Sequence, residues 1–292
     1  MPELPEVEVI ARSLGPKIRG STIQSFKVFY PPILRHDRNA DLQSLIGQRI
    51  RQVQRRGKMV LIKIAGARSL LFHLKMTGQL IICNHLEPLD KHTHLCFSFK
   101  EEARELRFRD VRKFGFLATV PTDNPSLSPY LKDLGPEPLE IEFGRFVERL
   151  QNRRGRIKSL LLNQNVIAGI GNIYANEILY RAKIHPCSSA ALLSEGDLKR
   201  LWKSMRKILH EAIEYRGSSI QNFVDAEGQK GQFQSYHSVY RRDSLPCLVC
   251  GNTIHRLLIN GRSTFVCLRC QPASFIEERI DKSKNRKKPQ IA

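Results

Sequence analysis

The chain begins Met1-Pro2-Glu3, and a proline in second place becomes, once the methionine is trimmed, a free secondary amine. Such an amine can attack a sugar aldehyde carbon. An α-amino group has a pKa of ~7.7–8.0 against ~10.4 for a lysine side chain, so a sizeable fraction is unprotonated near neutrality. Glu3 and Glu6 put two carboxylates beside it, one adjacent and one a helical turn on, where a carboxyl can give or take protons. The same pair could instead face the positive end of a helix dipole. Residue type and spacing leave both readings open, and on its own Pro2 is equally an ordinary residue behind an initiator.

Four of the seven cysteines form a second constellation: Cys247-x2-Cys250, a gap of sixteen residues, then Cys267-x2-Cys270. This is zinc-ribbon spacing, with each pair offering two thiolates on one tight knuckle and Asn260-Gly261 suggesting a hairpin that folds the knuckles together. Four protein ligands leave no open coordination position, so the expected cofactor is one structural Zn2+. Two disulfides are the weaker reading, because the N-terminus is not signal-like and Cys83, Cys96 and Cys187 remain as an odd set.

Lys plus Arg number 48 and Asp plus Glu 28, a net charge of +20 with a pI near 10.0. That is the footprint of a protein that binds phosphates. No apolar run of ~18 residues and no lone basic amphipathic helix favours a membrane, so nucleic acid is the expected partner.

The elements that must position these groups follow from periodicity. Pro5 suits a first helical turn, and Val7, Val9, Ile10 and Leu14 follow at helical spacing until Gly20. From Ile23 to Val120, eight short stretches rich in β-branched and aromatic residues alternate with turns, which predicts a β-sandwich or barrel. Five prolines between 121 and 138 mark a hinge. Helical periodicity then covers 143–151, 157–163, 172–183 and 194–215, the last with an apolar stripe that reads as a core face. Residues 216–237 are long for a connection and poor in aliphatics, consistent with a mobile, substrate-facing loop. A basic run at 281–288 is expected to lack fixed structure.

Other residues could touch phosphate or bases. Lys58 follows Arg55-Arg56-Gly57 at a strand edge; the small-residue turn Gly169-Ile170-Gly171 before a helix start could present backbone N–H groups to a phosphate, beside Arg153 and Lys158. Met76 and the Arg112-Lys113-Phe114-Gly115 turn offer tips that could wedge between bases, as an enzyme needs when it takes a base out of the stack.

Taken together, Pro2-Glu3-Leu4-Pro5-Glu6-Val7-Glu8, Arg-Arg-Gly-Lys at 55–58, His-Leu-Lys-Met-Thr-Gly at 73–78, Asp-Val-Arg-Lys-Phe-Gly at 110–115, Gly-Pro-Glu-Pro-Leu at 135–139, the turn at 168–177 and the four-cysteine ribbon resemble bacterial formamidopyrimidine-DNA glycosylases, from residue 2 to about 271. The resemblance implies an α+β multidomain fold: a catalytic domain over 1–120 with a helix and an eight-stranded β-sandwich, a hinge over 121–138, a helix-two-turn-helix DNA-binding domain over 139–237, a zinc ribbon over 238–272 and a basic tail over 273–292. It implies a bifunctional glycosylase and abasic-site lyase that removes oxidised purines such as 8-oxoguanine from double-stranded DNA. Pro2 would form the Schiff base, Glu3 would donate a proton and Glu6 would support the N-terminus. Lys58 would contact phosphate and serve β-elimination, and Arg262 δ-elimination. His92, Arg112, Arg153, Lys158 and Asn172 would contact DNA, with Met76, Arg112 and Phe114 filling the gap left by a flipped base.

The chain departs from the family pattern at Met59, Asn163, Gln232 and Arg241, the last standing where a glycine is usual. A sister glycosylase for oxidised pyrimidines is the nearest alternative, against which Leu4 speaks, and a catalytically dead zinc-ribbon DNA-binding protein is the other. A cytoplasmic monomer is expected.

Overall fold

The computed structural model describes residues 1–35, 42–151, 153–220 and 222–273. The expected tail falls outside them except for residue 273.

Helix α1 (Leu4–Ile18) starts where Pro5 allows, and the Glu3 N–H donates to Glu6 Oε2 at 2.8 Å, closing its first turn. Val7, Ile10, Leu14 and Ile18 recur on one face and pack into the core of a β-sandwich. Leu4, at the other end of the same helix, belongs to a different core, that of the helical half. The helix that carries the N-terminus therefore pins two bodies together.

The sandwich has eight antiparallel strands: β1 (Ile23–Val28), β2 (Ile50–Arg56), β3 (Met59–Ile64), β4 (Arg68–His73), β5 (Gly78–Asn84), β6 (Thr93–Phe99), β7 (Arg104–Asp110) and β8 (Phe116–Pro121). They form two four-stranded sheets, ordered β1-β6-β7-β5 and β2-β3-β4-β8. Register decides what meets at their ends. Gly78 pairs with Asp110, so the residues before β5 and after β7 emerge side by side. Met59 pairs with His73 and His73 with Phe116, which brings Lys58, Lys75 and the Gly115 turn to the corresponding end of the other sheet.

Beyond the proline-rich segment come α2 (Phe143–Gln151), α3 (Ile157–Leu162), α4 (Asn172–Arg181) and α5 (Glu195–Glu214), close to the ranges read from periodicity. Ser194 caps α5 by accepting from the Asp197 N–H at 3.1 Å, and the stripe of Leu198, Leu201, Met205 and Leu209 is buried as expected. The segment after α5, expected to face substrate, makes contacts with both halves. Phe223 and Ala226 enter the sandwich core and Phe233 the helical core, while Ala226 exchanges hydrogen bonds with Ser13 and Ile82. It straps the two halves together. Last, β9 (His255–Ile259) and β10 (Arg262–Val266) pair through Asn260 and Gly261, both at positive φ, the two-residue hairpin turn that this dipeptide favours.

Candidate active site

Glu3 lies at the N-terminus of a helix other than its own. Its carboxylate accepts from the backbone N–H groups of Gly171 at 2.8 Å, Ile173 at 2.9 Å and Tyr174 at 3.3 Å, all at the start of α4. The donors that the sequence offered as a phosphate cradle are thus occupied by the protein's own acid, and that expectation is corrected. Gly171 must be glycine, because a Cβ there would stand 2.3 Å from Glu3 Cδ. Burial raises the pKa of Glu3, opposed by Lys58 and by the α4 amides.

Glu6 is equally enclosed. It accepts from the Tyr174 hydroxyl at 2.5 Å, the Ser218 N–H at 2.7 Å and the Glu3 N–H, and Ser218 Oγ lies 3.0 Å from His237 Nε2. Burial, helped by the neighbouring Glu3 charge, lifts Glu6 to about 7, with its three donors holding back a larger rise. A carboxyl poised there can exchange a proton near neutrality.

Lys58 sits in the β2–β3 turn and is buried, not displayed on a solvated edge. Glu137, from the Gly-Pro-Glu-Pro-Leu segment, grips that turn: it accepts from the Gly57 N–H and from Arg56, both at 2.7 Å, and from Arg55 at 2.5 Å. Burial pushes Lys58 below the usual lysine range, Glu3 pulls it back up and Arg262 depresses it further. Two carboxyls tending to neutrality and an amine tending to the free base therefore interact with one another at the turn that carries the buried Pro2.

Pro2 and Glu6 line a cavity of about 190 Å³. Met76, Ile173, Ile220 and Phe223 contribute apolar surface to it; Ser218, Asn222, Tyr240 and Arg241 contribute polar groups. Apolar side chains mixed with a few polar groups suit a heterocyclic base.

Beside the cavity stands the expected trio. Arg112 Nη1 lies 3.0 Å from Met76 Sδ, and the Arg112 guanidinium sits 4.8 Å from the centroid of the Phe114 ring. All three are exposed. Their two loops are tied by Asp110, fully buried, which accepts from the Thr77 hydroxyl, from Arg112 N–H at 3.2 Å and from Gly115 N–H at 2.7 Å.

The hairpin is held against α3 and α4. Lys158, expected to touch DNA, is fully buried and donates to the Ser263 carbonyl at 3.1 Å and Thr264 Oγ1 at 2.7 Å. Asn172 Nδ2 donates to the same carbonyl at 3.0 Å. Both anchor the hairpin that presents Arg262, which is exposed; for Lys158 this replaces the direct phosphate contact. Arg153 is exposed and His92 half-buried, the latter at the β7 end near Arg112.

At the base of the hairpin the Sγ atoms of Cys247, Cys250, Cys267 and Cys270 all lie within 4.8 Å of one another, with pairs at 3.8 Å and 3.4 Å. These are too long for disulfides and near the ~3.8 Å edge of a tetrahedron built with ~2.3 Å Zn–S bonds. The ribbon is a site for one structural zinc.

Three family models match in order: the formamidopyrimidine-DNA glycosylase N-terminal domain over residues 1–117, the H2TH domain of the same glycosylases over 134–224, and a zinc finger found in FPG and IleRS over 244–273. The chain belongs to the formamidopyrimidine-DNA glycosylase family. A relative of that name from Desulforamulus reducens is 42% identical, covering 94% of this chain and 100% of its own; one from Carboxydothermus hydrogenoformans is 43% identical, covering 93% and 100%. Among solved structures, a Lactococcus lactis FPG mutant in complex with Fapy-dG-containing DNA superposes with a TM-score of 0.87 at 36% identity, over 93% of this chain and 100% of that one. The Lactococcus lactis Fpg in complex with abasic DNA does so at 0.86 and 36%, over 92% and 99%.

Within this family fold, sequence reasoning brought Pro2, Glu3, Glu6 and Lys58 to one site, and the structure groups them. It missed the residues that hold them there, Glu137, Tyr174 and Ser218, and Asp110, which ties the loops of Met76 and Phe114. Glu177 is another, buried and accepting from the N–H groups of Ser238 at 2.8 Å, Val239 at 3.0 Å and Tyr240 at 2.8 Å. For Glu137 and Asp110 a signal existed, an acid inside a short motif of glycine and proline or aromatic residues. Tyr174 and Glu177 look like any polar residue on a helix until α4 is packed.

Proposed function

We propose that this glycosylase acts on oxidised purines, among them 8-oxoguanine and ring-opened formamidopyrimidines, in double-stranded DNA, and nicks the strand at the resulting abasic site. The observation that carries the reading is the position of Pro2: buried, on the wall of a base-sized cavity that Glu6 also lines, with Glu3 next in the chain and Lys58 interacting with both carboxyls. The solved relatives in complex with Fapy-dG and abasic DNA support the substrate class.

Removal of Met1 leaves the Pro2 nitrogen as a secondary amine. Its lone pair attacks C1′ of the everted nucleotide, the C1′–N bond breaks, and the base departs with the bonding pair and a proton. Glu3, its carboxyl biased toward the protonated form by burial, supplies protons as the sugar ring opens. The product is an iminium between Pro2 and C1′. That cation withdraws electrons from C2′, so a C2′ proton is lost and the 3′ phosphate leaves; a second elimination releases the 5′ phosphate. Lys58, shifted toward its free base, is suited to take the C2′ proton, and exposed Arg262 to hold phosphate. Glu6 supports the N-terminal turn through the Glu3 N–H. Arg112, Met76 and Phe114 fill the vacated stack, while Arg153, His92 and the hairpin grip the backbone. The enzyme works as a monomer in the cytoplasm, where its DNA lies.

Borohydride reduction of the iminium on a duplex carrying 8-oxoguanine opposite cytosine tests the reading. A covalent adduct is expected from the mature protein and none from a methionine-retaining form or Pro2→Gly. Tight binding without any adduct would make the protein a DNA-binding module, and an adduct only on oxidised pyrimidines would reassign the substrate.

A further inference from the structure

Arg241 supplies the one cationic side chain among the described residues that line the Pro2 cavity. Its surroundings aim it there. Glu177 fixes the preceding backbone through three N–H groups, and the Arg241 side chain hydrogen-bonds Tyr240, another lining residue. Its charge also depresses His237, after burial, to about 4, and the Arg241 side chain itself stays exposed. Across the same cavity stands the Glu6 carboxyl, its ionised form already taken up by three donors. The cavity is therefore asymmetric: a buried, already satisfied carboxyl at Glu6 and a guanidinium donor at Arg241.

A guanine-derived lesion offers that donor a partner in its O6 carbonyl; because N7 carries a hydrogen after oxidation or ring opening, the contact is one charge-assisted hydrogen bond. We infer that Arg241 is a specificity-determining residue that reads a carbonyl edge of the everted base, favouring oxidised guanine over adenine lesions, in which an amino group replaces that oxygen. The assignment rests on the glycosylase reading and deepens it.

The test compares three duplexes, containing 8-oxoguanine, ring-opened adenine and a bare abasic site, with wild type, Arg241→Gly and Arg241→Lys. Arg241 has φ 60, a region that glycine tolerates better than any other residue, so Arg241→Gly removes the side chain while relaxing the backbone. Excision of 8-oxoguanine by Arg241→Gly is expected to fall roughly ten- to hundredfold, the loss given by one hydrogen bond to a charged group. Ring-opened adenine should fall less, and abasic cleavage, with no base to read, should stay within about twofold of wild type by the same reasoning. Arg241→Lys should recover only part of the loss, because its ammonium is compact and strongly hydrated where the guanidinium is planar and weakly hydrated. Parallel loss on all three duplexes would make Arg241 a phosphate contact, full rescue by lysine would make it a simple charge, and no change would remove it from recognition; each overturns the inference. Failure of wild type on abasic DNA would instead strike the glycosylase reading itself.

Discussion

Glu3, Glu6 and Lys58 are 3%, 1% and 8% exposed, whereas Met76 and Phe114, a short distance across the same cleft, are 37% and 50% exposed. The first group is ionisable and hidden; the second is apolar and in water. Each inverts the ordinary distribution of residue types. Burial on the nucleophile side shifts proton affinities toward neutrality before any substrate arrives. Exposure on the other side leaves apolar tips whose natural cover is a base stack. Long-range contacts build the reactive wall, Glu3 reaching α4 and Glu137 reaching the Lys58 turn. The wedge needs only strand register and one buried acid, Asp110.

If the reactive wall works through proton state, a neutral isostere should do the most damage. Glu3→Gln retains a carbonyl oxygen for the α4 amides, so the fold and DNA affinity should persist, while single-turnover excision of 8-oxoguanine falls by about 10²–10⁴. An excision rate within a few-fold of wild type would remove Glu3 from proton transfer and leave it as a helix cap.

The hairpin depends on neither burial nor register alone. Cys250→Ser, or prolonged chelation, breaks the tetrahedral set and frees the strands that Lys158 and Asn172 hold. DNA binding should be abolished together with zinc content, while the sandwich keeps its β signal in circular dichroism. Undiminished affinity in a zinc-free protein would show that the ribbon is not part of the grip.

Burial also has a thermodynamic signature. Glu6 titrates at about 7 in the fold against 4.5 for the free side chain, so the fold favours its protonated form. Stability from this group is full below pH 4.5 and drains away as pH rises through 7, by about 3 kcal/mol for a shift of this size. Glu6→Gln should lose that slope: its urea midpoint, compared with wild type at pH 5 and pH 8, should gain on wild type at the higher pH. A constant offset between the two proteins would mean that the hydrogen bonds from Tyr174, Ser218 and Glu3 keep the carboxylate ionised throughout.

How far the sequence disclosed this arrangement follows the same division. Strands, helices and the ribbon were legible because periodicity and cysteine spacing are local, and the four later helices end within two residues of the ranges read from periodicity. Pro2 and Glu3 were legible as chemistry because an N-terminal amine needs no fold to be recognised. What stayed hidden was who satisfies whom. Nothing local says that the Gly169–Gly171 turn is filled by Glu3, that Lys158 is swallowed by the hairpin, or that residues 216–237 strap two cores. Those facts depend on contacts across 100 residues or more, visible only after packing.

The exposed side gives the smallest and cleanest effect. Phe114 is half in solvent and its ring meets the Arg112 guanidinium, so Phe114→Ala should leave the melting temperature unchanged within error. Base–aromatic stacking contributes ~1–3 kcal/mol, so affinity for a lesion duplex should fall roughly tenfold. Cleavage of a single-stranded abasic oligonucleotide, which has no opposite strand to prop open, should not change. A melting temperature lowered by several degrees would place Phe114 in the core of its loop, and the contrast between a buried reactive wall and a solvent-facing wedge would fail at its most exposed residue.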